Sequence, residues 1–347
     1  MPGAALQRPA VVCRVSDLIG YTPLLELATT ETGSRLLLKL EMFNPTGSAK
    51  IRMAQQMIDA AETSGQLRSG GRIIESTSGN TGLGLAVIAA ERGYAFTAVV
   101  DNHASADKLR AMQAMGTALV YVVDDGTEEL ATAAREELAE DMARGQDNTI
   151  FTEQHNNPAN AVGYFPVAHE LAEALDGDLD VLISAVGTGG GLCGTARELR
   201  GLIEGFRVIG VEPKGSIAFG GPAHDYYQSG TGTPEGAEIG ALVDFGLIDE
   251  GVKVGDIEAF ATCRAVARTG LLIGGSAGGV VYEALTRLAD LPPGSTMVAL
   301  INDGGEKYLD TVFNDEWMRE RDLLSPDTER EINEMLTKLR RNRYASC

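Results

Sequence analysis

The sequence is poor in the patterns that hold metals or disulfides. Cys13, Cys193, Cys263 and Cys347 are scattered without CxxC spacing, and His103, His155, His169 and His224 form neither HxxxH nor HExxH. Scattered cysteines in a long chain are the pattern of reduced thiols in the cytosol, and the histidine spacing excludes the common zinc signatures. No stretch approaches the roughly 20 apolar residues that a membrane span requires. The amino terminus lacks the basic start and apolar run of a signal peptide, so the expectation is a cytoplasmic protein without bound metal. Positive charge is scarce as well. Lys and Arg number 29 against 49 Asp and Glu, for a net charge of −20, which opposes binding to nucleic acid or to anionic membrane. The expected partners are small molecules.

What the chain has in abundance is glycine, 42 residues of 347. Single cores stop growing at roughly 250–300 residues, so two lobes are expected. A rhythm of strand, glycine-rich turn and helix points to parallel sheets covered by helices on both faces. Arg72 to Thr77 reads as a strand, Ser78 to Gly82 as a turn and Leu83 to Arg92 as a helix; further strands are expected at 96–100, 119–123, 181–186, 208–211 and 296–301. Residues 47–154 form one compact βα lobe, 12–46 plus 155–320 a larger one. The segment 214–246, rich in Gly, Pro and Tyr, is long enough to be a functional loop. A final helix at 325–343 starts at Ser325-Pro326 and carries an apolar stripe of Ile332, Met335, Leu336 and Leu339, suited either to its own chain or to a second copy.

Four segments carry chemistry. In Asn44-Pro45-Thr46-Gly47-Ser48-Ala49-Lys50 a lysine falls in a first helical turn, where the helix dipole disfavours a second cation. It is either a solvated lysine or an amine of depressed pKa able to form an imine with a carbonyl cofactor. Thr77-Ser78-Gly79-Asn80-Thr81-Gly82, between strand and helix, offers free N–H groups and three hydroxyls to a carboxylate or phosphate. Gly187-Thr188-Gly189-Gly190-Gly191 repeats that geometry with four glycines in five residues, and suits phosphate. The overlapping stretch Gly189 to Gly194, with Glu212 ending the next strand, also imitates a dinucleotide fingerprint. Ser276, in Gly274-Gly275-Ser276-Ala277-Gly278-Gly279, could cap the following helix or donate to a ring nitrogen.

In this order and at these separations, the four segments resemble the cysteine synthase and cystathionine β-synthase family of fold-type II pyridoxal-phosphate enzymes, from about Val15 to Trp317. The resemblance implies an α/β, two-lobed fold of the tryptophan synthase β type, with a parallel-sheet core in each lobe. It implies pyridoxal 5′-phosphate held by Lys50 as a Schiff base, with Asn80 at its phenolic oxygen, residues 187–191 on its phosphate and Ser276 at its ring nitrogen. Thr77, Ser78, Gly79 and Thr81 would hold the substrate carboxylate, with Gln154 and Gly240 beside the substrate. A homodimer is expected. The sequence departs from many relatives at Ile51, where they have Asp, and at Gly191, where the phosphate loop usually ends in Thr. The serine loop also has one hydroxyl where many relatives have two.

The implied reaction is β-replacement on serine, O-acetylserine or O-phosphoserine through an aminoacrylate, giving cysteine, cystathionine or a diaminopropionate precursor. Lys214 to Gly220 and Asn302 to Trp317 are similar to the branch that makes N-(2-amino-2-carboxyethyl)-L-glutamate, although cystathionine β-synthases also carry a Gly-Ser-Ile element at this place. Alternatives are a serine or threonine dehydratase, a nicotinamide-dependent dehydrogenase reading the glycines at 189–194, and a non-catalytic binding homologue. The dehydratases usually read Ser-Ala-Gly-Asn-His where this chain reads Thr-Ser-Gly-Asn-Thr.

Overall fold

The computed structural model describes residues 11–77, 79–100, 105–122 and 128–345. Ser78, His103 and Cys347 lie outside them. Among the described residues the strands are β1 (Leu24–Thr29), β2 (Arg35–Leu40), β3 (Arg72–Ser76), β4 (Ala95–Val100), β5 (Ala118–Tyr121), β6 (Thr149–Phe151), β7 (Val181–Ala185), β8 (Arg207–Pro213), β9 (Glu250–Val254) and β10 (Thr296–Ile301). They form a six-stranded sheet in the order β1-β2-β10-β7-β8-β9 and a four-stranded sheet in the order β5-β4-β3-β6.

Every pairing is parallel except β1 with β2. The exception departs from the all-parallel expectation, and its cause is local. The connection between β1 and β2 is a short turn in which the Thr30 N–H meets the Ser34 carbonyl at 2.8 Å. Such a turn can only reverse the chain, because a parallel neighbour needs a long crossover. The middle of the large sheet is dry: all six residues of β10 are buried, as a strand covered on both faces must be.

Helices begin at Asn80, Gly190 and Gly275, within the glycine loops. The first starts earlier than the apolar pattern indicates, because the Thr77 hydroxyl accepts the Gly82 N–H at 3.1 Å and draws Asn80 and Thr81 into the first turn. Gly84 lets this helix close on the helix Lys50–Thr63: a Cβ there would stand 3.0 Å from the Ile51 Cα. The helix Lys50–Thr63 also packs against Pro158–Val162, so it touches structure belonging to both sheets. The terminal helix, Pro326–Ala345, packs on the helix Asp256–Ala267 and on β1, with Ile332, Leu336 and Leu339 buried in its own chain.

A buried ionic cluster fixes the start of the helix Lys50–Thr63. Arg52 reaches Glu41 through Nε (2.7 Å) and Nη2 (2.9 Å), and Glu170 through Nη1 (2.8 Å) and Nη2 (3.0 Å). Lys39 meets the same Glu170 at 2.5 Å, and the Thr22 hydroxyl donates to Glu41 at 2.6 Å. Each buried charge has an opposite partner, as it must to be tolerated away from water.

Candidate active site

In parallel sheets, ligands bind beyond the carboxyl ends of the strands. β3, β7 and β10 lead there into Thr77, Gly187 and Asp303 respectively. The Asn44–Lys50 loop lies across the end of β10: the Ala49 N–H donates to the Asn302 carbonyl at 2.8 Å, and Ser48 bridges to Asp303. Lys50 opens its helix two residues before the anchored Arg52, with its backbone N–H on the Ser48 hydroxyl at 3.2 Å. Burial pushes the Lys50 ammonium down to about 8, and the Asp303 carboxylate opposes that only in part. A solvated lysine would not show this. The amine is therefore neutral for a far larger fraction of the time near physiological pH than an ordinary lysine, which favours imine formation.

Asn80, in the first turn after β3, donates from Nδ2 to Asp303 Oδ2 at 2.8 Å and accepts from the Lys307 ammonium at 2.8 Å. Tyr308 donates its hydroxyl to the same Asp303 oxygen at 2.7 Å. The Thr81 hydroxyl donates to Gln154 Oε1 at 2.7 Å, while Thr77 turns its hydroxyl toward the Gly79 and Gly82 N–H groups. Thr77, Gly79, Asn80, Thr81 and Gln154 thus surround one loop.

The 187–191 segment is a cradle closed by its neighbours. Gly189 has φ +86, and a Cβ there would lie 2.5 Å from the Val243 nitrogen. At Gly190 a methyl group would be driven into the Asn160 side chain. Asn160 donates from Nδ2 to the Gln154 carbonyl at 2.7 Å and to the Thr188 hydroxyl at 3.2 Å, which couples this cradle to the Gln154 turn. Gly191 differs: the nearest atoms to a Cβ there are ring carbons of Tyr164 at 3.8 Å, so space does not demand glycine at that position. A Cβ on Gly240 would stand 3.0 Å from the His155 carbonyl and 3.3 Å from that of Thr188, which puts Gly240 between the two loops.

Ser276 is buried in the first turn of Gly275–Leu288, a helix whose N-cap is Gly274. It is therefore not the cap that its local sequence also allowed. Gly274 donates its N–H to the Asp303 carbonyl at 3.1 Å, tying this loop to the end of β10 as well. These groups fit pyridoxal phosphate: a glycine cradle at a helix start for the phosphate, a buried hydroxyl for the ring nitrogen and an amine of lowered pKa for the carbonyl carbon.

The dinucleotide reading fails at Glu212. Its buried carboxylate accepts the Ser216 hydroxyl, the Ala218 N–H at 3.1 Å and the Phe219 N–H at 2.9 Å, and pairs with Lys253 at 3.0 Å. It builds the start of the 214–246 segment and is not offered to a ribose. Phe219 then rests over two glycines: a Cβ on Gly210 of β8 would lie 2.6 Å from its ring, and one on Gly251 of β9 would collide with it too. The Phe245 ring meets Phe219 edge-on at 6.3 Å.

Residues 15–303 match the pyridoxal-phosphate dependent enzyme family. A putative cysteine synthase of Sinorhizobium fredii is 47% identical over 90% of this chain and 94% of its own. An N-(2-amino-2-carboxyethyl)-L-glutamate synthase of Ralstonia nicotianae is 35% identical over 88% of this chain and 90% of its own. Among solved structures, the cysteine synthase of Entamoeba histolytica superposes with a TM-score of 0.83 at 28% identity, covering 95% of this chain and 97% of that one. The chain belongs to the cysteine synthase and cystathionine β-synthase family of fold-type II pyridoxal-phosphate enzymes. It is accordingly a pyridoxal-phosphate-dependent β-replacing synthase.

Sequence reasoning assigned no site role to Asp303, Lys307, Tyr308 or Lys108. Asp303 was signalled only by its place just beyond a buried strand. For the lysines there was no signal, since their burial depends on partners distant in sequence. Lys307 donates to the Gly47 carbonyl at 3.0 Å and is pushed down to about 8, chiefly by burial. Among the described residues, no group of His, Cys, Asp and Glu is arranged to hold a metal ion, and no helix is long and apolar enough to cross a membrane.

Proposed function

We propose that the chain joins a nucleophile to the β-carbon of serine, O-acetylserine or O-phosphoserine, with Lys50 as the residue that holds the cofactor and moves the substrate α-proton. When bound, pyridoxal phosphate draws electrons from the substrate α-carbon, so that the α-proton and then the β-substituent can leave. The N–H groups of residues 187–191, with the Thr188 hydroxyl, take the phosphate. Asn80, already oriented by Asp303 and Lys307, would meet the phenolic oxygen. Ser276 would donate to the ring nitrogen as a neutral hydroxyl, a partner that would limit charge build-up in the ring and favour elimination over transamination.

Thr77, Ser78, Gly79 and Thr81 bind the substrate carboxylate at the helix start, and Gln154 and Gly240 close the site around the substrate. Lys50 Nζ takes the α-proton as general base and returns it after the nucleophile has added. The observation that carries this reading is that the Lys50 loop, the Asn80 side chain and the Ser276 loop all bond to Asp303, with burial lowering the Lys50 pKa to about 8. The similarity to both a cysteine synthase and an N-(2-amino-2-carboxyethyl)-L-glutamate synthase supports acceptors ranging from sulfide to an amino-acid amine.

The test is direct. Purified protein is incubated with each of the three donors against sulfide, homocysteine and glutamate, and the products are weighed by mass spectrometry. A new serine-derived adduct is expected, and Lys50→Ala is expected to abolish both the adduct and the visible band of the lysine-bound cofactor. Full turnover by that variant would remove Lys50 from its assigned role.

A further inference from the structure

We propose that Lys108 and Lys307 form a subsite for an oxyanion carried on the group exchanged at the serine β-carbon, a phosphate on the donor or a carboxylate on the acceptor. This rests on the β-replacement reading above and specifies its substrate class. The cradle at 187–191 and the loop at 77–82 account for two anions, the cofactor phosphate and the α-carboxylate; the lysines would hold a third.

Lys108 lies in the first turn of the helix Ala106–Ala114, on the small-sheet side of the cleft, and is only 8% exposed. Among the described residues its ammonium has no hydrogen-bond acceptor and no carboxylate within ion-pair distance. It stands 5.1 Å from the centre of the Tyr308 ring, which attracts a cation without neutralising it. Burial lowers its pKa while Asp303 attracts it only from beyond ion-pair distance, so an arriving anion would find an ammonium with no direct contact among the described residues.

Lys307 approaches from the other side, on the turn Gly305–Tyr308. Its two acceptors, the Gly47 carbonyl and Asn80 Oδ1, are neutral, which leaves one N–H uncommitted. The two ammoniums are close enough to repel each other, and Asp303 attracts both, with Glu306 acting on Lys307. Asp303 cannot serve both. One of its oxygens is taken by Asn80 and Tyr308, and the other is buried against Gly274 without a partner. Among the described residues neither Asp303 nor Glu306 is within ion-pair distance of Lys108 or Lys307, so both ammoniums remain open to direct contact with an arriving oxyanion.

The experiment uses the pyridoxal-phosphate-loaded enzyme, its Lys108→Met variant and its Lys108→Arg variant. One arm compares kcat/KM for O-phosphoserine and O-acetylserine with sulfide as common acceptor. The other compares glutamate and sulfide with a common donor. Calorimetry measures inorganic phosphate and glutarate binding to each protein. Loss of one charge-assisted contact is expected to lower the charged-to-uncharged ratio in one arm by about tenfold or more, with Lys108→Arg retaining most of it. The affinity for the matching probe should fall in parallel, and the arm that moves tells whether the oxyanion arrives on the donor or on the acceptor.

Ratios unchanged within about threefold in both arms, with unchanged probe binding, would overturn the proposal. If Lys108→Met fails to fold, the unsubstituted enzyme still decides: no binding of either probe at millimolar concentration sinks the subsite. Absence of turnover with every donor would instead remove the β-replacement reading, while calorimetry would still report on the lysines.

Discussion

Asn80 Nδ2 donates to Asp303 Oδ2 at 2.8 Å, joining the first helical turn after β3 of the small sheet to the end of β10 of the large one. Because Lys307 donates to Asn80 Oδ1, the amide has only one orientation that satisfies both neighbours. The side chain assigned to the cofactor's phenolic oxygen is therefore positioned by the large sheet, although it belongs to a helix of the small one. Asp303 is the residue through which the Lys50 loop, the Asn80 turn and the Ser276 loop are registered against one another.

Removing Arg52 should destabilise the whole protein. Arg52→Met would leave Glu41 and Glu170 buried with only part of their positive complement, a loss of about 3–5 kcal/mol. Arg52→Lys should not restore it, because a single ammonium cannot reproduce the four contacts of the guanidinium. Urea denaturation followed by circular dichroism should place both variants well below the parent protein. A midpoint unchanged in Arg52→Met would show that the cluster contributes nothing to stability.

The cradle proposed to take the phosphate distinguishes two adjacent glycines. Gly190→Ala forces a methyl group into Asn160 and should weaken cofactor retention by about tenfold or more, on the scale of one lost charge-assisted hydrogen bond. Gly191→Ala meets only the Tyr164 ring at ordinary contact distance and should lose less. Absorbance titration of the apo-proteins with pyridoxal phosphate measures both. Equal losses would contradict the geometry.

Glu75 gives the small sheet a pH dependence of definite sign. It is buried on β3, accepts the Thr152 hydroxyl at 2.5 Å and the Gln154 N–H, and is pushed up to about 8 by burial, with Glu136 adding repulsion. Between its usual range near 4.5 and about 8 the folded state holds a proton that the unfolded state has released. Its contribution to stability is thus complete below about 4.5 and is lost as pH rises through about 8. Thermal unfolding should show this decline, and Glu75→Gln, neutral at every pH, should flatten it. A slope equally steep in the variant would assign the effect to other groups.

How much of this was legible beforehand depended on range. The glycine loops, the strands feeding them and Lys50 could be read because each signal lies within a few consecutive residues. The boundary at Asn80 was set late because a hydroxyl three residues upstream, not the apolar pattern, starts that helix. Glu212 imitated a ribose ligand since its place after a strand is local, while its true partners, Ser216, Phe219 and Lys253, are supplied by a loop and a neighbouring strand. Asp303, Lys307 and Lys108 were missed for the same reason. What makes a charge functional there is its isolation from water, and that arises only when segments more than 200 residues apart meet.

Phe219, seated over Gly210 and Gly251, gives the 214–246 segment a fixed root. The ring occupies space that any side chain on those two strand positions would fill, so the seat and its plug must be inherited together. Beyond the root the chain is stitched to the large sheet again before it reaches Gly240: the buried Gln228 donates to the Val254 carbonyl at 3.0 Å and Thr231 to that of Val186 at 2.7 Å. For anyone wishing to exchange part of this segment, Gly210, Glu212, Phe219 and Gly251 are the socket to leave alone, and Gln228 and Thr231 are the stitches that any replacement must keep.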